Sequence, residues 1–109
     1  MDKLVDFLKY SGLFYYYKNL FSEKQKKYLE LYFEEDYSFS EIAEKYSITR
    51  QAVFDNIIRG TKQLDDYEKK LNIYSKELEL KEKLEKLKDS FSKDELEKII
   101  SELGFDNEY

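Results

Sequence analysis

Apolar residues recur at helical spacing along nearly the whole chain. Leu4, Val5, Phe7 and Leu8, then Leu13, Phe14, Tyr17, Leu20 and Phe21, predict a helix over residues 3–19. Ser11-Gly12 predicts a bend or break inside it. Ser22 and Gln25 form a capping-box pattern ahead of Tyr28, Leu29, Leu31, Tyr32 and Phe33, which predicts a second helix to about residue 35. Ser38 and Glu41 repeat that pattern before Ile42, Ala43 and Tyr46. Ser47-Ile48 follows as a turn, and Thr49 caps the next helix.

From there one stripe persists. Val53, Ile57, Gly60, Leu64, Tyr67, Leu71, Tyr74 and Leu78 alternate spacings of four and three. Leu80 breaks the phase, and Leu84, Leu87 and Phe91 resume it. The pattern predicts one long helix, or two with a kink between Asn72 and Leu80. Ser90 or Ser92, the latter with Glu95, starts a last helix with Leu96, Ile99, Ile100 and Leu103 inside and Gly104 as its stop. Phe105 to Tyr109 is expected to fray.

Residues 38–59 organise this series. Two short helices meet at a tight turn, and small Ala43 permits a close crossing. Ile42, Tyr46, Ile48, Val53 and Ile57 supply a shared core. This is the layout of a helix-turn-helix, whose second helix can enter a DNA major groove. Ser47 stands where Gly is the less strained choice. On the second helix Arg50, Gln51, Phe54, Asp55 and Ile58 fall outside. Arg50 suits guanine and Gln51 adenine. Arg59 and Lys62 suit phosphates, as does the cluster Lys24, Lys26 and Lys27 on the preceding helix. Asp55 fits a duplex only as an acceptor from cytosine N4, and its alternative is an i, i+4 pair with Arg59. Exposed Phe54 and Ile58 suit thymine methyls or a protein partner.

Composition narrows the chemistry. The 109 residues contain no Cys and no His, which excludes disulfides and thiolate or imidazole metal sites and removes the commonest general base. No cofactor or enzymatic activity is expected. Glu34-Glu35-Asp36 lacks a second cluster and reads as a solvated turn. Phe14-Tyr15-Tyr16-Tyr17 could stack bases, but its spacing favours packing Phe14 and Tyr17 inward. With no Pro and only 3 Gly, the fold class is all-α. No run approaches a membrane span and no signal-like segment opens the chain, so a cytoplasmic location is expected. Net charge is −5, with the acidity concentrated after residue 65, which weakens the case for a polyanion partner.

Ser40-Glu41-Ile42-Ala43-Glu44, an apolar turn residue and Thr49 resemble the promoter-reading helix-turn-helix of bacterial sigma factors (region 4). A longer run is similar to the YlxM family: Glu23-Lys24-Gln25, Tyr28-Leu29-Glu30-Leu31, Asp36-Tyr37-Ser38, Arg50-Gln51-Ala52-Val53, Asp55-Asn56-Ile57 and Asp66-Tyr67-Glu68-Lys69-Lys70-Leu71. The resemblance runs from about Gly12 to Leu103. It implies a small bacterial DNA-binding protein with a regulatory link to the signal recognition particle, whose GTPase gene commonly neighbours those of the family. Duplex DNA is one expected partner. The alternative is docking on the signal recognition particle GTPase or its RNA. The expected organisation is a helix-turn-helix head over residues 1–72 and a C-terminal helical arm over 73–109. The arm packs on the head or dimerises, and the length of the stripe favours a homodimer.

Overall fold

The structure is a computed structural model that describes the backbone of residues 3–104 and the side chains of residues 6–104. Leu4, Val5 and the tail from Phe105 lie outside the described side chains. The regular elements among the described residues are helices, α1 Lys3–Tyr17, α2 Glu23–Phe33, α3 Phe39–Tyr46, α4 Arg50–Leu71, α5 Ile73–Asp89 and α6 Lys93–Glu102. A 3₁₀ turn, Lys18–Leu20, follows α1. Among the described residues there is no strand, and no helix is long and apolar enough to cross a membrane. The chain divides into two units, residues 1–74 and 75–109.

The first unit packs α1, α2 and α3 around α4. Its core joins Leu13, Phe14 and Tyr17 of α1, Leu29 and Leu31 of α2, Ile42 and Ala43 of α3, and Val53, Ile57 and Leu64 of α4. Phe14 and Tyr17 are fully buried while Tyr15 and Tyr16 are exposed, so the tyrosine run packs as its spacing requires. The α4 stripe is covered by the unit's own helices through Leu64, and Tyr67 is half-buried beneath Phe21, with ring centroids 5.5 Å apart. Leu71 is exposed. The length of the stripe therefore demands less external cover than the sequence suggests.

Caps set the boundaries. Ser38 and Glu41 form the complete box: Glu41 N–H donates to Ser38 Oγ at 3.1 Å and Ser38 N–H to Glu41 Oε1 at 2.9 Å. These bonds hold the Glu41 carboxyl below its usual range. At Ser22 only half the box exists. Gln25 N–H donates to Ser22 Oγ at 3.3 Å, while the Gln25 side-chain nitrogen is buried without a partner. Helix α2 stops at Phe33, two residues early, because Asp36 turns the chain with φ 59 and Tyr37 N–H closes on Leu31 O.

One expected break is absent and the other falls within its expected range. Helix α1 runs through Ser11-Gly12 without interruption. Gly12 is a contact rather than a break, since a Cβ there would lie 2.6 Å from the Tyr74 ring. The later break falls at Asn72, with φ 54, so α4 and α5 are two helices. Its closure is long-range. Tyr17 Oη donates to Glu68 Oε1 at 2.5 Å and accepts from Ile73 N–H at 3.0 Å, and Tyr74 N–H donates to the same Glu68 oxygen at 3.1 Å. One α1 hydroxyl and one α4 carboxylate thus satisfy two opening N–H groups of α5, donors that a helix cannot satisfy itself.

In the second unit α6 is capped by Ser92, which accepts from Glu95 N–H, and the chain leaves α6 at Gly104 with φ 79. Lys83 Nζ donates to Glu102 Oε2 at 2.7 Å.

Candidate nucleic-acid interface

The turn before α4 is built by backbone bonds. Ser47 adopts the left-handed region, φ 53 and ψ 44. Its N–H donates to Glu44 O at 3.3 Å and Ile48 N–H to Ala43 O at 3.0 Å. That pair of bonds closes α3 in the Schellman manner usually given to Gly. Thr49 Oγ1 then accepts from Ala52 N–H at 3.0 Å and starts α4.

The position of α4 in unit 1 follows from a narrow crossing. A Cβ at Gly60 would lie 2.6 Å from Leu29 Cδ2, so α2 meets α4 where α4 has no side chain. With Val53, Ile57 and Leu64 buried on the same face, the opposite face is left to solvent. Arg50, Gln51, Phe54, Asp55, Ile58, Arg59 and Lys62 are all exposed there. The helix thus presents the predicted set together.

The set is not uniform. Phe54 and Ile58, 40% and 37% exposed, border an open groove of about 470 Å³ walled by Phe7, Tyr10, Tyr32 and Phe39. Phe54 meets Phe39 edge-on at 5.7 Å, and Phe39 stacks on Tyr32 at 4.9 Å. The Arg50 guanidinium sits 5.7 Å above the Phe39 ring, an attractive arrangement for a cation and a π face. The other flank is polar. Lys24 and Arg59 line a cleft of about 370 Å³ with Gln25, Tyr28, Ile48 and Asn56.

Internal hydrogen bonds revise two expected roles. Asp55 does not accept from Arg59. It accepts from Gln51 Nε2 at 2.9 Å, while Arg59 Nη1 donates to Asn56 Oδ1 at 3.1 Å. Asn56 is itself held by Ala52 O at 3.0 Å. The i, i+4 spacing is available to both Gln51–Asp55 and Asp55–Arg59, and the neutral Gln51 amide takes it. The lysine cluster also divides. Lys24 joins Arg59 at the cleft. Lys26 is half-buried, donates to Asn19 Oδ1 at 3.0 Å and lies 4.0 Å from Glu30 Oε1. Lys27 and Lys62 are exposed and line neither the cleft nor the groove.

Comparison with known proteins places this arrangement. The family model described as "Putative helix-turn-helix protein, YlxM / p13 like" matches residues 4–103. The chain belongs to this family, UPF0122. A UPF0122 protein of Fusobacterium nucleatum is 47% identical over 100 residues, spanning 92% of this chain and 97% of the relative. UPF0122 proteins of Staphylococcus aureus strains JH9 and Newman are each 50% identical over 70 residues, 64% of either chain.

For a UPF0122 helix-turn-helix, the residues missed by sequence reasoning are Phe39, Tyr32 and Asn56. Asn56 was legible, three residues before Arg59 on the same helix. Phe39 beneath Arg50 was not, because that contact exists only after α3 and α4 cross. Glu34, expected in a solvated turn, is exposed and lies 3.3 Å from Lys18 Nζ. Among the described residues no group of acidic side chains is placed to hold a metal ion.

Proposed function

We propose that this protein is a non-enzymatic regulatory protein that engages duplex DNA through the outer face of α4. The observation that carries the reading is the exposed row from Arg50 to Lys62 on a helix whose inner face is buried from Val53 through Leu64. In this reading residues 1–72 act as the binding head. Arg50 and Gln51, in the first turn of α4, read base edges. Phe54 contacts thymine methyls. Arg59 and Lys24 hold phosphates from the cleft flank, joined by Lys62 and Lys27, while the Lys26 ammonium, engaged with Asn19, would join only by leaving that partner. Asp55 keeps Gln51 positioned through their hydrogen bond until Gln51 turns to adenine, and is then free to accept from a cytosine amine.

The test is fluorescence anisotropy of the labelled protein with duplex DNA at rising salt. About four phosphate contacts predict a slope of log affinity on log salt near −3.6. Arg50→Ala with Gln51→Ala should weaken binding and flatten sequence preference. Affinity unchanged by that pair rules the reading out.

A second reading is supported by the aromatic groove. Phe54 and Ile58 border it, Arg50 lies over its Phe39 wall, and the chain carries a net −5. The apolar features suit docking on the signal recognition particle GTPase or its RNA, in the cytoplasm, and the net charge favours the GTPase of the two. There Phe54→Ala should reduce binding more than Arg59→Ala and Lys62→Ala together. The family description and the absence of His and Cys support a binding role over an enzymatic one.

A further inference from the structure

The second unit does not bury its own apolar residues. Helices α5 and α6 each carry an amphipathic stripe: Leu80, Leu84 and Leu87 at spacings of four and three, and Leu96, Ile99, Ile100 and Leu103. Ile99 alone is buried among the described residues of this unit. Leu80, Leu87 and Leu96 are half-buried. An open cleft of about 310 Å³ lies beside Leu80, Ile99 and Leu103. Leu103, which lines it, is 47% exposed, and elsewhere in the unit Leu84 is 44% exposed, Phe91 72% and Ile100 45%.

Two helices of 17 and 10 residues are too small to be stabilised by one buried Ile. Units below about 40 residues rely on disulfides, metals or association. The chain has no Cys, and among the described residues there is no metal-binding group. Association is what remains.

The geometry points to a second copy of this chain as the occupant, with the two α5–α6 hairpins closing face to face as a four-helix bundle. Two observations select a copy over another partner. Leu84, Phe91, Ile100 and Leu103 leave on the order of 400 Å² of apolar surface, about half of the ~800 Å² per partner of a standard interface, and apolar area is a little over half of such interfaces. The charges of residues 75–104 are interspersed and near balance, seven Lys against nine acidic residues, which suits a self-complementary two-fold contact. The same balance disfavours a polyanion or an anionic lipid surface, either of which calls for a basic face.

This inference is independent of what α4 binds, and its test contains no nucleic acid. Sedimentation equilibrium of the full chain from about 1 to about 100 μM should show a mass rising from the 13.3 kDa monomer toward twice that value. The variant Leu84→Glu with Ile100→Glu should stay monomeric across the range. Hydrogen exchange gives a readout that needs no variant: protection of the α6 amides, residues 93–102, should increase about tenfold or more over the same concentrations. A wild-type monomer at about 100 μM, as from a hairpin seated on its own chain or reserved for a different protein, overturns the inference. So does α6 protection that ignores concentration, or a folded double variant that dimerises like wild type.

Discussion

Removing one oxygen from Tyr17 tests how the α4–α5 junction is held. Tyr17 is 1% exposed, and its hydroxyl makes two bonds, donating to Glu68 Oε1 at 2.5 Å and accepting from Ile73 N–H at 3.0 Å. Tyr17→Phe keeps the ring, and with it the packing on Tyr67 at 6.0 Å. The hydrogen bond to a carboxylate is worth about 1.5–3 kcal/mol and the one from the amide about 0.5–1.5 kcal/mol. Removing a buried hydroxyl returns about 1 kcal/mol of its desolvation cost. The net expected loss is about 2 kcal/mol. Tyr10→Phe is the matched control, because Tyr10 makes the equivalent α1-to-α4 bond, to Asp65 Oδ2 at 2.8 Å, at an exposed site. Its loss should stay under about 1 kcal/mol. Urea unfolding followed by far-ultraviolet circular dichroism measures both, with Tyr17→Phe lowering the midpoint by about 1–2 M at unchanged slope. Equal losses for the two variants, or a Tyr17→Phe loss below about 0.5 kcal/mol, would refute the claim that a buried hydroxyl anchors the junction.

Further expectations concern the turn, the crossing and pH. Ser47→Gly should stabilise the protein by about 1 kcal/mol in the same urea assay, because φ 53 strains Ser and not Gly. Gly60→Ala should cost about 1 kcal/mol net, as overpacking against Leu29 outweighs the gain in helix propensity. In a Leu29→Ala background the same change should stabilise, and an unchanged sign would show that the crossing is not what requires Gly. Tyr10 is pushed up to about 12 by burial and then by its bond to Asp65, and burial with the Glu68 bond shifts Tyr17 in the same direction. Both folded values lie above the ordinary 10, so each contribution is complete below pH 10 and is lost as pH rises through the folded value, about 12 for Tyr10. Urea midpoints measured from pH 9 to 12 should fall across that window, and less steeply in the Tyr10→Phe, Tyr17→Phe variant.

Local patterns carried most of the fold. The caps at Ser38, Thr49 and Ser92 were legible because donor and acceptor lie three residues apart. The buried face of α4 was legible because Val53, Ile57, Gly60 and Leu64 follow one period. Gly12 was misread as a break because Gly is read as punctuation, whereas its role is set by Tyr74, distant in sequence. The Tyr17–Glu68–Ile73 junction was invisible for the same reason, since its bonds span about fifty residues. At the interface, the exposed row on α4 followed from periodicity. The division into an aromatic and a basic flank did not, because it depends on α1, α2 and α3 walling either side.

The central claim is that the outer face of α4 is the binding surface and that Arg50 and Gln51 read duplex DNA. Anisotropy titrations of duplex DNA test it most directly, comparing wild type, Arg50→Ala with Gln51→Ala, and Phe54→Ala at low and moderate salt. Wild type should bind duplex DNA in a sequence-dependent manner, with affinity that weakens as salt rises. Replacing Arg50 and Gln51 together should reduce affinity about thirtyfold or more, at roughly 1–3 kcal/mol for each of two well-formed base contacts. DNA affinity that is absent, or indifferent to Arg50 and Gln51, would contradict it.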